Sequence, residues 1–170
     1  VGPICVAKHL VPFLPSHPVV TTGGEAGITA VAVSPYGNAL LPPLTYGYIK
    51  LLGAAGLTRS TAMAIVNANY MSRTLEGDYR TTHSGANRRV GHEMILDLQN
   101  FRKGYGVEVA DIARRLMDYG FHAPTLSFPV HDTLMVEPTE SESKAEMDRF
   151  IEAMVSIKRE CEAINGTEDN

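Results

Sequence analysis

The second half of the chain changes twice from strand periodicity to helical periodicity, and this alternation constrains its fold more than any other feature. Residues 89–98 have the alternating pattern of a strand, and residues 109–119 repeat apolar side chains at helical spacing. Residues 133–137 then predict a short strand, and the segment from Met147 to Ile157 again has helical spacing. We therefore expect a small α/β unit in the order strand, helix, strand, helix.

The ends of these elements carry their own signals. Gly120 lies just past residues 109–119, where a glycine commonly ends a helix. Thr139 and Glu142 have the spacing of a capping box, which predicts the start of the last helix. The sequence NFRKGYG, residues 100–106, is expected to turn away from the first strand.

The first half is expected to be irregular at first and then helical. Residues 1–24 are rich in proline and glycine, which interrupt helices and sheet ladders, and residues 29–34 predict a short strand. Apolar runs then predict two helices, each followed by a glycine that would end it: Leu44–Leu52 before Gly53, and Leu57–Leu75 before Gly77.

Length and net charge limit the classes of protein to which the chain can belong. A chain of 170 residues is enough for one hydrophobic core. A net charge of -4 argues against a nucleic-acid partner, because such a partner requires a basic face. No apolar run approaches the roughly 20 residues of a membrane span, and no secretory signal opens the chain. We therefore expect neither a nucleic acid nor a membrane among its partners.

Cysteine usage and the chain ends add two expectations. Cys5 and Cys161 lie at opposite ends without metal-binding spacing, which favours reduced thiols in a reducing compartment. The chain starts with Val1 instead of methionine and ends in the polar sequence NGTEDN. Both ends look cut, so we expect a part of a longer protein.

Several residues could carry chemistry, and each also has a purely structural interpretation. His92 and Glu93 begin a zinc-protease motif, but the second histidine would be at position 96, which is leucine. On a strand these two side chains would also point to opposite faces. His131 and Asp132 could form an oriented pair, although no nucleophile setting accompanies them.

The segment between the last two predicted helices contains further candidate site residues. His122 follows Gly120 on a loop between helix and strand, so it is either a site residue or a packed histidine. The acidic residues Glu137, Glu140 and Glu142 form a cluster in which Glu142 is better explained as a cap. No GxSxG, GxGxxG or phosphate-loop motif is present. The residues alone indicate a cytosolic α/β domain and leave open whether it is part of an enzyme.

Long motifs add a family resemblance over nearly the whole chain, to about residue 164. GPICVAKHLVPFLPSHPVV, PYGNALLPPLTYGYIKLLGAAGL, AIVNANYMSRTLEGDYR and VGHEMILDL occur in this order. DIARRLMDYGFHAPTLSFPV and TLMVEPTESESKAEMDRFI follow them. Together they closely resemble the P-protein family of the glycine cleavage system, the pyridoxal-phosphate-dependent glycine decarboxylases.

The resemblance implies a fold and a division of the chain. The family has the aspartate-aminotransferase-like fold, known as fold type I, with a large domain and a smaller C-terminal α/β domain. Residues 1–78 would leave the large domain through a long connecting helix, and residues 79–164 would form the small domain. Residues 165–170 would be a polar tail.

The resemblance also implies a reaction for the complete protein. The family decarboxylates glycine on pyridoxal 5'-phosphate and passes the aminomethyl group to the lipoyl arm of the H-protein. The Schiff-base lysine lies in a motif upstream of this chain, and Lys8 matches a different family position. We therefore expect no catalytic residue in this chain, which alone would be inactive and would need the missing N-terminal portion.

The same resemblance assigns candidate site residues by position. Gly37 and Asn38 match a loop expected to approach the cofactor phosphate of a partner subunit, in a dimer of catalytic units. His122, Thr125 and Glu137 match motifs on the substrate side. His92, with Glu93, matches a histidine–glutamate pair of unassigned role on that side, and no metal is expected. The compartment would be the bacterial cytoplasm or the mitochondrial matrix.

Some residues depart from the family pattern. Ala32 replaces a serine, Leu40 and Pro42 replace serine and leucine, and Asp132 replaces a glycine. The Pro42–Pro43 pair is expected to delay the next helix. If position 132 has a positive φ, aspartate would tolerate it better than most residues.

Two other classes of function stay open. A stand-alone, non-catalytic binding or regulatory module could use the same small-domain fold, and it would be folded and monodisperse by itself. A fragment of the enzyme would instead expose apolar surface where the large domain packs. A metal-dependent hydrolase is a distant third alternative. A catalytic metal site needs about three converging protein ligands, and the incomplete motif at His92 and Glu93 does not supply them.

Overall fold

The computed structural model describes residues 2–165, which divide into two units, Val1–Ala55 and Gly56–Asn170. The first unit contains a 3-10 helix, Lys8–Phe13, and otherwise consists mainly of turns and bends up to the start of helix α1. The strand predicted over residues 29–34 is wrong, since that run is a series of bends. A short β-branched run needs a neighbouring strand to form a ladder, and the described part of the first unit offers none.

Helix α1, Leu41–Leu75, is interrupted at Gly53, whose backbone has φ 62° and ψ -178°. This confirms two helical segments separated at Gly53. The delayed start expected from Pro42 and Pro43 is wrong, because prolines in the first turn give up only N–H groups that have no helical partner. Gly77 lies two positions past Leu75, the last residue of the helix, but it is absent from the left-handed glycines and therefore does not form a left-handed cap.

The same helix is long and apolar enough to cross a membrane, judged by length and composition. The expectation that no run approaches a membrane span is therefore wrong, because the apolar character continues across Gly53. Core helices of soluble proteins pass the same test, so length and composition are weak support for a span. None of the apolar window is buried by the described residues.

The second unit contains a four-stranded antiparallel sheet in the order β1-β2-β4-β3. Its strands are β1 Arg80–Thr82, β2 Met94–Asp97, β3 Thr125–Leu126 and β4 Thr133–Val136. The strand predicted over residues 89–98 is confirmed only as β2. The preceding residues are held by loop contacts instead of a ladder, so the opposite-face argument for His92 and Glu93 does not apply.

Three helices follow in the second unit. Helix α2 is Gln99–Tyr105, helix α3 is Val109–Asp118, and helix α4 is Lys144–Asn165. The segment of residues 100–106, expected to turn away from the preceding strand, is helical up to Tyr105 and ends at the left-handed Gly106. Helix α3 agrees with the prediction to within one residue.

Helix α4 starts later than the capping box at Thr139 predicts. Thr139 has a positive φ of 57°, and its hydroxyl accepts a hydrogen bond from the Ser141 amide at 3.2 Å. The Ser143 hydroxyl accepts the Glu146 amide at 3.2 Å, which makes Ser143 the N-cap. The sequence contains two consecutive Ser/Thr-x-x-Glu patterns, residues 139–142 and 143–146, and the second one starts the helix.

The core lies where the sheet meets the helices of the second unit. Leu96 of β2 is paired with Leu134 of β4, and both are fully buried. Helix α4 contributes Met154 and Ile157 to the same core, and it contacts both α2 and α3. Tyr79 is buried as well, and its hydroxyl donates to the Met154 carbonyl at 2.7 Å.

The predicted α/β class is confirmed at this level, as a small domain with an antiparallel sheet and packed helices. The sequence patterns missed β1 and β3, which are too short to show a period. The division into segments 1–78 and 79–164 stays a prediction. The predicted tail over residues 165–170 lies, apart from residue 165, outside the described residues.

Candidate functional site

The loop that carries His122 is fixed by the end of helix α3. Gly120 takes a left-handed φ of 80°, and the Phe121 amide donates to the Leu116 carbonyl at 3.0 Å. This reversal directs the Phe121 ring onto Phe150 of helix α4, edge to face, with ring centroids 5.2 Å apart. The loop after α3 is therefore packed against α4 immediately before His122.

Arg149 of helix α4 secures the same loop from the other side. Its guanidinium lies 3.7 Å from the centre of the Phe121 ring and donates to the Tyr119 carbonyl at 2.8 Å. It also donates to the Glu146 carboxylate at 3.0 Å, and this contact is the main cause that lowers the pKa of Glu146. Arg149 therefore holds in place the loop that carries His122, and its side chain does not line the cavity beside this loop.

The segment after strand β4 forms the opposite wall. Asn67 of helix α1 donates from its amide to the Thr139 carbonyl at 2.8 Å. Asn67 is buried, so this bond fixes the segment that follows Glu137 to the helix. The left-handed conformation of Thr139 then turns the chain toward α4.

Between these walls lies a cavity of about 390 Å³, called here the His122 pocket. Three of the predicted substrate-side residues, His122, Thr125 and Glu137, line it. Its other acidic lining residues are Glu142 and Glu146, and its apolar lining includes Met71, Phe121, Met135, Met147 and Phe150. Apolar walls with a few convergent polar groups are typical of small-molecule sites.

His92, the fourth predicted substrate-side residue, contacts this pocket without lining it. Its Nε2 atom lies 3.7 Å from Oε1 of Glu137 and 3.9 Å from Oε2 of Glu93. The predicted divergence of His92 and Glu93 is therefore wrong, because both lie in the loop before β2 and their side chains approach each other.

The arrangement can bind a small, positively charged group and move a proton. Carboxylates of Glu137, Glu142 and Glu146 give the pocket a negative rim, although Arg149 neutralises Glu146. The His122 imidazole can accept or donate a proton, and the Thr125 hydroxyl can donate a hydrogen bond. Apolar side chains line the pocket beside these groups, while His122, Thr125 and Glu137 are themselves exposed to solvent.

The predicted phosphate loop lies in the first unit. Gly37 has φ 73°, and its carbonyl accepts the Ser34 hydroxyl at 2.6 Å. The Asn38 side-chain oxygen accepts the Leu40 amide at 3.0 Å, and its backbone carbonyl accepts the Leu41 amide. Gly37 and Asn38 thus form the turn that starts helix α1.

Pyridoxal phosphate, implied by the resemblance, needs a lysine whose amine can lose its proton. Lys144 pairs with Asp148 at 2.6 Å and Lys158 with Asp78 at 3.0 Å; these hydrogen bonds raise both lysine pKa values. The other lysines are exposed: Lys8, Lys50 and Lys103. None of them lines the His122 pocket, so the lysines within residues 2–165 do not fit a covalent cofactor site.

His131 and Asp132 are close, with Nδ1 and Oδ1 3.0 Å apart. Asp132 has φ 57°, its carboxylate also pairs with Arg102 at 3.4 Å, and its amide donates to Ser127. The positive φ meets the condition under which aspartate is tolerated at position 132. The pair therefore stabilises the turn before β4.

For metals, no group of three or more His, Cys, Asp or Glu side chains within the described range is placed to hold an ion. The two cysteines are free thiols, Cys5 exposed and Cys161 buried, and burial raises the pKa of Cys161.

Sequence reasoning missed the residues that hold the pocket walls. Asn67 looked like one polar position in an apolar helix, and its partner is 72 positions away. Arg149 had a weak signal, because Glu146 three residues earlier on the same helix face predicts an ion pair. No pattern in the sequence predicts its contact with Phe121.

Comparison with known proteins places this chain in a family. Residues 60–170 match the model described as "Glycine dehydrogenase, C-terminal domain". "Glycine dehydrogenase (decarboxylating)" of Flavobacterium johnsoniae is 55% identical over 170 residues, which is 100% of this chain and 18% of the relative.

Other relatives come from distant lineages. "Glycine dehydrogenase (decarboxylating)" of Deinococcus radiodurans is 55% identical over 96% of this chain and 17% of its own length. "Glycine dehydrogenase (decarboxylating) 1, mitochondrial" of Arabidopsis thaliana is 53% identical over 94% of this chain and 16% of its length. The chain spans about a sixth of these relatives, which include bacterial and mitochondrial forms, and it belongs to the glycine dehydrogenase C-terminal domain family.

Proposed function

We propose that the complete protein containing this chain decarboxylates glycine with pyridoxal phosphate and transfers the aminomethyl group to the lipoyl arm of an H-protein. Support comes from relatives named glycine dehydrogenase (decarboxylating), to which the whole chain is similar. The chain covers 18% of the Flavobacterium relative. The lysine that holds the cofactor therefore belongs to the rest of the protein.

The contribution of this chain is a wall of the substrate site. The observation that carries this proposal is the joint placement of His122, Thr125 and Glu137 in one cavity of about 390 Å³. A carboxylate at this wall orients a small amino acid through its ammonium group, and the imidazole moves a proton. This role of His122 goes beyond the expectation from the resemblance, which places no catalytic residue in this chain. His92 acts through its contact with Glu137.

The finer assignments belong to the same proposal. The four-stranded sheet and its helices would be the small domain of a fold type I enzyme, and α1 would be its connecting helix. The turn at Gly37 and Asn38 would approach the cofactor phosphate of a partner subunit in a dimer. The enzyme would work in the bacterial cytoplasm or the mitochondrial matrix, as its relatives from these two groups suggest.

The test uses the full-length protein with glycine, pyridoxal phosphate and lipoylated H-protein. His122→Gln should lower kcat/KM for CO₂ release by about 100-fold, because an imidazole that moves a proton contributes at least this much. Glu137→Gln should raise KM for glycine by about tenfold, since one charged hydrogen bond is lost. The cofactor absorbance should be unchanged in both variants.

Glu152→Gln provides the matched control, because Glu152 is exposed on α4 and does not line the pocket. It should retain wild-type kinetics. Wild-type kinetics for both His122→Gln and Glu137→Gln would show that this wall does not face the substrate.

A further inference from the structure

A second cavity of the same unit is rich in arginine. It has a volume of about 340 Å³ and is lined by Ser72, Arg73, Glu76, Arg80, Thr81, Ser84 and Arg88. We call it the arginine pocket; it shares no lining residue with the His122 pocket. It lies at the β1 edge of the sheet, where the end of helix α1 meets the loop before β2.

Glu76 holds two of the three guanidinium groups in place. Arg73 Nη1 lies 2.7 Å from Oε2 of Glu76, and Arg88 Nη1 pairs with Oε1 of the same carboxylate. The Arg88 hydrogen bond is the largest cause that lowers the pKa of Glu76, so the bridging carboxylate stays ionised. Arg73 and Arg88 each contact Glu76 through Nη1. The second terminal nitrogen of each guanidinium takes no part in the ion pair with Glu76.

Positive charge remains after these pairs are counted. Arg73, Arg80 and Arg88 supply three charges, Glu76 neutralises one, and Asp97 lies 4.0 Å from Arg80 just outside the lining. The balance is one excess positive charge in a chain whose net charge is -4. The pocket is thus a local exception that attracts anions.

The backbone that presents Arg88 is strained. Asn87 and Arg88 have φ values of 60° and 53°, a left-handed conformation that arginine rarely adopts. A hydrogen bond of 2.8 Å from the Gly85 amide to the Arg89 carbonyl closes this loop. Such outliers persist where the surroundings enforce them, and they are enriched in ligand clamps.

We propose that the arginine pocket binds the phosphate group of a small anionic ligand. Phosphate fits better than a single carboxylate, because its several oxygens can accept two-pronged hydrogen bonds from more than one arginine. The hydroxyls of Ser84 and Thr81 supply further donors at the same cavity. Thr81 is already fixed by its 2.9 Å contact with Ser72. The proposal does not depend on the proposed function.

The test is calorimetric titration of the full-length protein at constant ionic strength, with pyridoxal phosphate present throughout. Inorganic phosphate is one probe and methyl phosphate the other. Saturable binding is expected for the wild type, and Arg88→Gln and Arg80→Gln should each weaken it by about tenfold. Arg114→Gln is the matched control, since Arg114 pairs with Asp111 on helix α3 and does not line the pocket; its affinity should be unchanged.

Glu76→Gln separates an effect on phosphate binding from an effect on folding, because the two effects would change the measured affinity in opposite directions. Removing the competing carboxylate should tighten phosphate binding by roughly threefold, whereas a loss of folding could only weaken it. Tight binding of either probe supports the proposal, and the stronger probe identifies the source as the free ion or an ester. The proposal is overturned by no saturable binding at about 10 mM phosphate or by equal affinities of Arg88→Gln and Arg114→Gln. Weaker binding to Glu76→Gln at wild-type thermal stability would show that Glu76 positions the arginines of the pocket and does not compete with the anion.

Discussion

At the residue scale, the loop before β2 depends on one buried amide. Asn69 of helix α1 donates to the Val90 carbonyl at 2.8 Å and accepts the Val90 amide at 3.1 Å. Its side chain thus replaces a strand partner for Val90, which explains why the predicted strand begins only at Met94. The alternating pattern of residues 89–98 could not reveal this, because the competing partner is 21 positions away.

A second residue-scale contact makes stability depend on pH. Glu160 of helix α4 accepts from Arg115 Nε at 2.8 Å and from the Tyr119 hydroxyl at 2.7 Å. These bonds, Arg115 first, lower the pKa of Glu160 below its ordinary value of 4.5. A lowered carboxyl pKa gives stability that is complete above pH 4.5 and is lost as the pH falls through the folded-state value.

We predict that Glu160→Gln flattens the acid side of the stability profile. Thermal unfolding midpoints between about pH 3 and pH 6 should fall less steeply in the variant than in the wild type. Glu152→Gln, an exposed change on the same helix, should leave the slope as it is. An unchanged slope in Glu160→Gln would mean that this ion pair does not contribute to acid sensitivity.

At the element scale, sequence patterns predicted long elements well and short ones poorly. The second half of α1 and helix α3 have enough turns to show a period, whereas β1 and β3 have three and two residues. The start of α4 was ambiguous because two Ser/Thr-x-x-Glu patterns follow one another directly, at residues 139–142 and 143–146. The bond from Asn67 to Thr139, remote in sequence, favours the second pattern.

In helix α2, two glycine-to-alanine substitutions are predicted to change the stability of the fold in opposite directions. Gly104 lies inside the helix and Gly106 caps it with φ 66°, and a Cβ atom at either position would meet no atom within 4 Å. Gly104→Ala should stabilise the fold by about 0.5–1 kcal/mol, because alanine is the better helix former. Gly106→Ala should destabilise it by about 1 kcal/mol, because alanine is strained in the left-handed region.

Urea unfolding followed by circular dichroism measures both changes under the same conditions. Each glycine controls for the other, since both substitutions add one methyl group to the same helix. A stabilising effect of Gly106→Ala would contradict the assignment of Gly106 as the left-handed cap, and a destabilising effect of Gly104→Ala would contradict the helical propensity argument.

At the scale of the whole molecule, exposed apolar side chains are concentrated before residue 67. Among the most exposed are Val33, Leu51 and Ile4, at 99%, 89% and 87%. The core residues, by contrast, belong to the second unit.

The family of the whole chain was predictable from its resemblance to known motifs, and the family model covers the second unit almost completely. The His122 pocket was partly predictable, because His122, Thr125 and Glu137 lie in matched motifs.

We predict that two lengths of this chain behave differently in solution. A chain of residues 1–170 should bind an apolar fluorescent dye several-fold more strongly than residues 56–170, because large exposed apolar surface normally contacts another surface. Dye fluorescence and light scattering of both lengths measure this. Equal, weak dye binding with monodisperse samples would instead favour the stand-alone module.

The strained Arg88 also has an evolutionary consequence. Glycine at this position would relieve the left-handed backbone, so selection for stability alone favours losing the arginine. Selection for anion capture favours keeping it. With selection for stability and selection for anion capture both acting, position 88 should be glycine in lineages whose protein does not bind the anion and arginine in those whose protein does. The residue at position 88 would then mark which proteins bind the anion.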